Sequence, residues 1–185
     1  MAMDDAPHGA EAVPVEKKLD DLYALIDGIE TAMFTTRRPD GYLVSRPMAV
    51  QERRGAADLW FVTDGETNKL DELAADAHVN LAFYKDRTRE WVSVSGIARV
   101  SRDRALIREM YKPDWRAWFG DEGGGRDGGP DDPRLTLVLV EAHSVTYLTV
   151  DKPQPVVLFE VVKGMVTGTP PDVGDLRELG ADELR

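Results

Sequence analysis

The chain has no cysteine and only three histidines in 185 residues. The missing cysteines exclude disulfide frameworks, thiolate metal sites, iron–sulfur clusters and cysteine nucleophiles together. Any redox chemistry must therefore come from a bound cofactor. Long apolar runs are missing too: nothing approaches the ~18 consecutive residues of a membrane-crossing helix. The opening MAMDDAPHGAEAVPVEKK is acidic and lacks a secretory apolar stretch. These features predict a soluble, cytoplasmic protein with no membrane partner. The histidines His8, His78 and His143 have neither an i/i+4 partner nor clustered acids at ligand spacing, so no metal site is expected. No Gly-x-Ser-x-Gly elbow supports a hydrolytic triad.

Basic charge is also scarce, with 23 Lys and Arg against 34 Asp and Glu, a net charge of −11. That balance opposes nucleic-acid binding, which depends on neutralising phosphates. The basic residues are concentrated in the middle of the chain. Residues 34–54 hold five Arg against Asp40 and Glu52, and residues 85–116 hold nine Lys and Arg against five acids. A basic centre between acidic ends suits a small anionic ligand, and equally suits ordinary solvated faces.

What is present is a short helix followed by β-rich runs. Val15, Leu19, Leu22, Ile26 and Ile29 recur at helical spacing. Strands are expected at Thr31–Thr36, Tyr42–Gln51, Leu59–Thr63, Val79–Tyr84, Glu90–Ser101, Leu135–Val140 and Val145–Val150. The turn residues Pro39-Asp40-Gly41 and Arg54-Gly55 separate the first strands into antiparallel hairpins. The expected fold is mainly β (α+β), an antiparallel six- to seven-stranded split β-barrel with flanking helices. Two short helices interrupt it, Glu66–Ala75 with Leu70, Leu73 and Ala74 inward, and Asp103–Tyr111 with Leu106, Ile107 and Met110 inward. The Asp71/Glu72 pair reads as a solvated helix face. The segment DEGGGRDGGPDD (121–132) reads as a mobile loop and not as a phosphate cradle, since no Gly-Lys-Ser/Thr follows. The organisation is a disordered 1–14, a barrel domain over 15–150, a C-terminal helix over 151–167 and an acidic tail over 168–185.

The residues with chemistry to offer are cationic. Arg46 lies inside an apolar strand, where a guanidinium needs an anionic partner or an exit to solvent. Pro47 removes a ladder donor and implies an edge or bulge. Trp60-Phe61-Val62-Thr63 runs into a turn and a helix start at Thr67-Asn68-Lys69, where free N–H groups and the helix dipole favour an anion. Two readings stand at this point: a phosphate site, or Arg46 paired with a carboxylate and Lys69 at the surface.

The ordered set Ser-Arg-Pro-Met (45–48), Trp-Phe-Val-Thr (60–63), Thr-Asn-Lys-Leu (67–70), Val-Ser-Val-Ser-Gly-Ile-Ala (92–98), Trp-Arg-Ala-Trp-Phe-Gly (115–120) and Asp-Pro-Arg-Leu (132–135) resembles the pyridoxamine 5'-phosphate oxidase-like FMN-binding split barrel. Within that family the match is to the general stress protein group. The resemblance implies FMN as cofactor, its phosphate held by Arg46, Thr67, Asn68 and Lys69. It places Phe61, Val62 and Thr63 beside the isoalloxazine and Pro47 and Met48 against the ring system. It also implies a homodimer with the flavin at the interface, where Trp91, Trp115 or Trp118 would come from the partner. No catalytic residue follows from it. True pyridoxine-phosphate oxidases carry a terminal Arg-x-His element, whereas this chain has no histidine after His143. The implied activity is thus an FMN-dependent oxidoreductase other than vitamin B6 phosphate oxidation. The alternatives are a non-enzymatic flavin-binding stress protein, or a deazaflavin- or haem-binding relative.

Overall fold

A computed structural model describes residues 13–53, 58–150, 154–168 and 174–185. The expectations for the start of the chain and for the Arg54-Gly55 turn therefore lie largely outside the described residues. Helix α1 (Val15–Ile29) buries Leu22, Leu25 and Ile26 and stops at Glu30, whose left-handed conformation returns its N–H to the Ile26 carbonyl. Strand β1 (Thr31–Arg37) starts at once and pairs with β2 (Leu43–Ala49) across the Pro39-Asp40-Gly41 turn. Gly41 takes φ +90 there, a conformation that suits glycine.

The remaining strands are β3 (Leu59–Asp64), β4 (His78–Lys85), β5 (Glu90–Ser101), β6 (Leu135–Thr149) and β7 (Asp175–Gly180). They form one antiparallel sheet in the order β2-β1-β4-β5-β6-β3, with β7 also on β6. The sheet curls until its two ends meet, and Gln51 beyond β2 bridges Trp60 of β3. This is the split barrel, mainly β, expected from the β-rich runs and their turns.

Two expected strands, Leu135–Val140 and Val145–Val150, are halves of the single strand β6. Ser95 faces Ser144 but Gly96 faces Ala142, so His143 is an extra residue in the ladder. This bulge reverses the alternation: Val138, Val140 and Ala142 point inward before it, Val145 and Tyr147 after it. In sequence the reversal looks like a break. Gly96 is needed opposite, because a Cβ there would lie 2.2 Å from the Glu141 carbonyl oxygen.

The seventh strand is β7, inside the segment expected to be an acidic tail. It was hidden because one of its two inward positions is Arg177, which pairs with Asp21 of α1 while Leu179 enters the core. Before it, α5 (Gln154–Thr167) lies within the expected 151–167 helix. Among the described residues no helix is long and apolar enough to cross a membrane.

Two apolar clusters flank the sheet. The barrel interior holds Phe34, packed edge-on to Phe61 with centroids 5.1 Å apart, together with Leu81, Phe83, Val92, Val94 and Tyr147. On the other face of β3 and β6, Trp60, Leu135 and Leu137 are covered by α3 (Arg104–Met110) and by Trp115, which precedes the one-turn helix α4 (Arg116–Phe119). The side chain of Asp103 caps α3 by accepting from the Ala105 and Leu106 N–H groups.

The glycine-rich segment 121–132, expected to be mobile, is pinned at its end. Asp132 is fully buried and accepts from the Gly128 N–H at 2.8 Å, from the Arg134 N–H at 2.9 Å and from Arg134 Nη2 at 2.7 Å. Composition alone did not reveal this, since the loop is held by paired charges and not by apolar burial. Much of the basic centre is neutralised likewise: Arg108 pairs with Asp131, Arg116 with Asp127 and Arg99 with Glu141.

Candidate functional site

Helix α2 (Asn68–Ala75) leaves β3 through a tight turn and lies against β1 and β5. Its inward face differs from the expected one. Lys69, Glu72 and Leu73 are buried, Leu70 is half-buried and Ala74 is exposed. Glu72, expected on a solvated face, is therefore a buried carboxylate, and the three-residue spacing of Lys69 and Glu72 sets both on one side of the helix.

On these two side chains converge three polar residues from three strands, making a cluster of five from four elements. Arg46 of β2 donates to Glu72 Oε2 and to Thr36 Oγ1, each at 2.8 Å. Thr36 of β1 donates to the same Glu72 oxygen at 2.5 Å. Lys69 Nζ donates to Thr63 Oγ1 of β3 at 2.7 Å. Thr36, Thr63, Lys69 and Glu72 are all buried, and the Arg46 side chain is about a quarter exposed. Arg46 is thus ion-paired with Glu72, whereas Lys69 is bonded to the neutral Thr63 hydroxyl and feels the Glu72 and Asp64 charges without a contact ion pair to either among the described residues.

The titrations follow from that arrangement. Burial, then the nearby Arg46 charge, push Lys69 down from 10.5 to about 8, against the pull of Glu72 and Asp64. Burial works to raise Glu72, but the Thr36 hydroxyl and the Arg46 guanidinium prevail and hold it below the usual carboxylate range.

The start of α2 adds backbone donors. Thr67 occupies the N-cap in extended conformation, yet its hydroxyl donates back to the Asp64 carbonyl at 2.9 Å and caps no helix N–H. The first-turn N–H groups of Asn68 and Lys69 have no intrahelical acceptor by geometry. Asp64 accepts from the Glu66 N–H at 2.8 Å and fixes the turn.

Strand β3 ends the sheet order, so among the described residues one of its edges has no strand partner beyond the Gln51–Trp60 bridge. The Trp60 carbonyl points to that edge, accepting from the Gln51 N–H at 2.8 Å. By strand alternation the Val62 N–H and C=O point the same way, a backbone donor and acceptor beside the cationic cluster.

Of the residues predicted for the site, the structure brings together Arg46, Thr63 and Lys69, with Thr67 and Asn68 exposed at the adjacent helix start. The carboxylate partner foreseen for Arg46 is present, as Glu72, while Lys69 is not at the surface. Pro47 lies exposed on edge strand β2. The side chains of Met48 and Phe61 enter the barrel core, and Val62 packs half-buried on the second cluster. The tryptophans are elsewhere. Trp115 is buried in the second cluster and donates its indole N–H to Gln51 at 3.1 Å, whereas Trp118 is 86% exposed on α4. Sequence reasoning missed Thr36 and Glu72. The signal for Glu72 was its spacing from Lys69.

Fold and site together define a split β-barrel with a cationic cluster at one helix-capped end. The chain belongs to the pyridoxamine 5'-phosphate oxidase-like family, whose model matches residues 17–172. Protein bli-3 of Neurospora crassa is 39% identical over 176 residues, covering 94% of this chain and 84% of bli-3. Among solved structures, a protein related to general stress protein 26 of B. subtilis, from Clostridium acetobutylicum, aligns with a TM-score of 0.66 at 18% identity, covering 92% of this chain and 99% of that one. The general stress FMN/FAD binding protein of Xanthomonas citri aligns with a TM-score of 0.54 at 26% identity, covering 68% and 84%.

Proposed function

We propose that the protein is an FMN-binding flavoprotein of the general stress type, with the flavin phosphate on Arg46, Lys69 and the first turn of α2. The observation that carries this reading is the buried Lys69 ammonium, bonded to the neutral Thr63 hydroxyl and set near Arg46, beside uncapped helix N–H groups. Thr67 and Asn68 flank the phosphate. The open edge of β3 at Phe61–Thr63 offers the Val62 backbone to the isoalloxazine, and Pro47 is the exposed residue of the Pro47-Met48 pair available to its face. Trp118 has no part in this site within one chain and enters the reading only as a contribution from a partner subunit. A bound flavin supplies hydride and electron transfer. The chain supplies position and charge.

The same reading includes a homodimer. Met33 of β1, Leu43 of β2 and Tyr84 of β4 are exposed apolar residues on three neighbouring strands, which a second copy would cover. A light-scattering mass of twice 20.6 kDa supports the pairing, and a monomer mass at working concentration refutes it.

The test of FMN binding is reconstitution, desalting and an absorbance scan, with riboflavin as the control that lacks the phosphate. FMN retained more tightly than riboflavin is the expected result; equal or absent retention refutes the phosphate site. Arg46→Ala and Lys69→Ala should each weaken FMN by about 1.5–3 kcal/mol through lost charged hydrogen bonds. Anaerobic reduction of the loaded protein by NADPH or NADH then separates an oxidoreductase from a flavin carrier.

A further inference from the structure

The site as proposed leaves the glycine-rich loop without a role, although the loop holds the turn from which α2 begins. Its base is Arg134, 2% exposed, which donates to the carbonyls of Phe119 at 2.7 Å and Gly120 at 3.0 Å as well as to Asp132. Gly128 closes the loop at φ +71, where its N–H reaches Asp132 and a Cβ would lie 2.9 Å from Arg116 Cα. From this base the loop grips two consecutive residues ahead of α2. The Arg134 carbonyl accepts from the Gly65 N–H at 2.7 Å. Arg126 donates in bidentate fashion to Glu66, at 2.7 and 2.8 Å, while its Nε donates to Glu122 at 2.8 Å.

Glu66 immediately precedes the N-cap Thr67 and stands three residues before Lys69. An unpaired carboxylate at that point would repel an anion arriving at the helix start. The Arg126 hydrogen bonds hold the Glu66 carboxyl below its ordinary range, so the pair is ionic at neutral pH.

We infer that Arg126 is a positioning residue for the phosphate end of the site: by neutralising Glu66 and fixing the turn before α2, the glycine-rich loop sets the preference for phosphorylated over unphosphorylated flavin. The inference rests on the FMN reading above and names the device that enforces it. The structure argues for an indirect role, because Arg126 is already committed to Glu66 and Glu122 and its side chain is only 31% exposed.

The experiment measures dissociation constants for FMN and riboflavin, by quenching of flavin fluorescence, in the full-length wild type, Arg126→Ala, Arg126→Lys and Arg126→Ala/Glu66→Gln. Arg126→Ala should bind FMN about fivefold more weakly, the scale of one well-formed exposed pair, with riboflavin unchanged. Arg126→Lys should retain most of the preference. Removing the stranded charge in Arg126→Ala/Glu66→Gln should restore FMN binding to near the wild-type value. An unchanged FMN constant in Arg126→Ala, an equal loss for both flavins, or a double variant as weak as the single one would each overturn the inference. A wild type that binds FMN no more tightly than riboflavin would instead overturn the phosphate site, and the inference with it.

Discussion

Arg46 and Glu72, 26 positions apart, are joined at 2.8 Å, tying edge strand β2 to helix α2. Glu72 both orients the guanidinium and competes with any anion that comes to it. Glu72→Gln should therefore act in two directions. It frees Arg46 to act on a phosphate, so at pH 7, below the Lys69 value of about 8, FMN affinity should rise by about threefold to tenfold, the scale of one charge interaction in a partly buried site. It also leaves two like charges without their counter-ion, so the ligand-free protein should melt lower. The Glu72 carboxyl titrates below its ordinary value of 4.5, so its stabilising effect is complete above that value and lost as pH falls through the lower folded value. The acid limb of the wild-type stability curve should accordingly flatten in the variant. Isothermal titration and thermal melts at pH 7 and pH 4 check both effects.

Lys69 carries the opposite sign. Its folded pKa of about 8 lies below its ordinary 10.5, so between these values the unfolded chain binds the proton more readily than the folded one. Stability should rise with pH across that window, and the full penalty should be present below about pH 8. Lys69→Met keeps the stem and removes the charge. It should stabilise the ligand-free protein at pH 7 by about 1–2 kcal/mol after allowance for screening and the lost Thr63 hydrogen bond, and the gain should shrink by pH 10. Urea denaturation of both proteins at the two pH values measures this. A function that needs a charge in a poor place for stability fits the general trade between activity and stability.

The same titration predicts how affinity depends on pH. A neutral Lys69 no longer attracts a phosphate, so FMN binding should weaken as pH rises above about 8, by as much as about tenfold per unit once the lysine is deprotonated. Riboflavin binding should stay level over that range. Lys69→Met should lose the pH dependence along with the preference for FMN. Fluorescence titrations with both flavins between pH 7 and 9.5 decide it.

Much of this was legible in the sequence. The β-rich runs and the turn residues between them, such as Pro39-Asp40-Gly41, gave away the strands, and Pro47 marked the edge. What escaped reading did so for physical reasons. The bulge at His143 reverses the alternation inside β6 and mimics a loop. Arg177 fills an inward position of β7 with a charge whose partner, Asp21, lies 156 residues earlier, so no local pattern marks it as a strand. At the site, Lys69 and the helix start could be read from order along the chain. Glu72 was passed over although its spacing from Lys69 sets both on one side of the helix, because Leu70 and Ala74 suggested a different inward face. Trp115 illustrates the limit of residue type, since a large aromatic gives the same signal in a core as beside a cofactor.

Asp132 tests whether the glycine-rich loop is an ordered part of the molecule. The carboxylate is fully buried, accepts two backbone N–H groups and two guanidinium nitrogens, and is held far below its usual pKa first by Arg134 and then by those backbone donors, against the effect of burial. Its contribution should be present above the ordinary carboxylate value and be lost only in strong acid. Asp132→Asn keeps the size but supplies an amide where two donors need acceptors, and it removes the buried counter-charge of the Arg134 guanidinium, leaving it only the half-exposed Glu122 at 2.9 Å. Truncating one member of a buried pair in this way should cost about 3 kcal/mol, a fall of several degrees in Tm for a chain of this length. Hydrogen exchange should locate the change: amides of residues 120–134 and of the Asp64–Thr67 turn should lose protection, while those of β4 and β5 should keep it. Uniform loss across the barrel would mean that the pair stabilises the whole fold, and the loop would then have no separate tie to the start of α2.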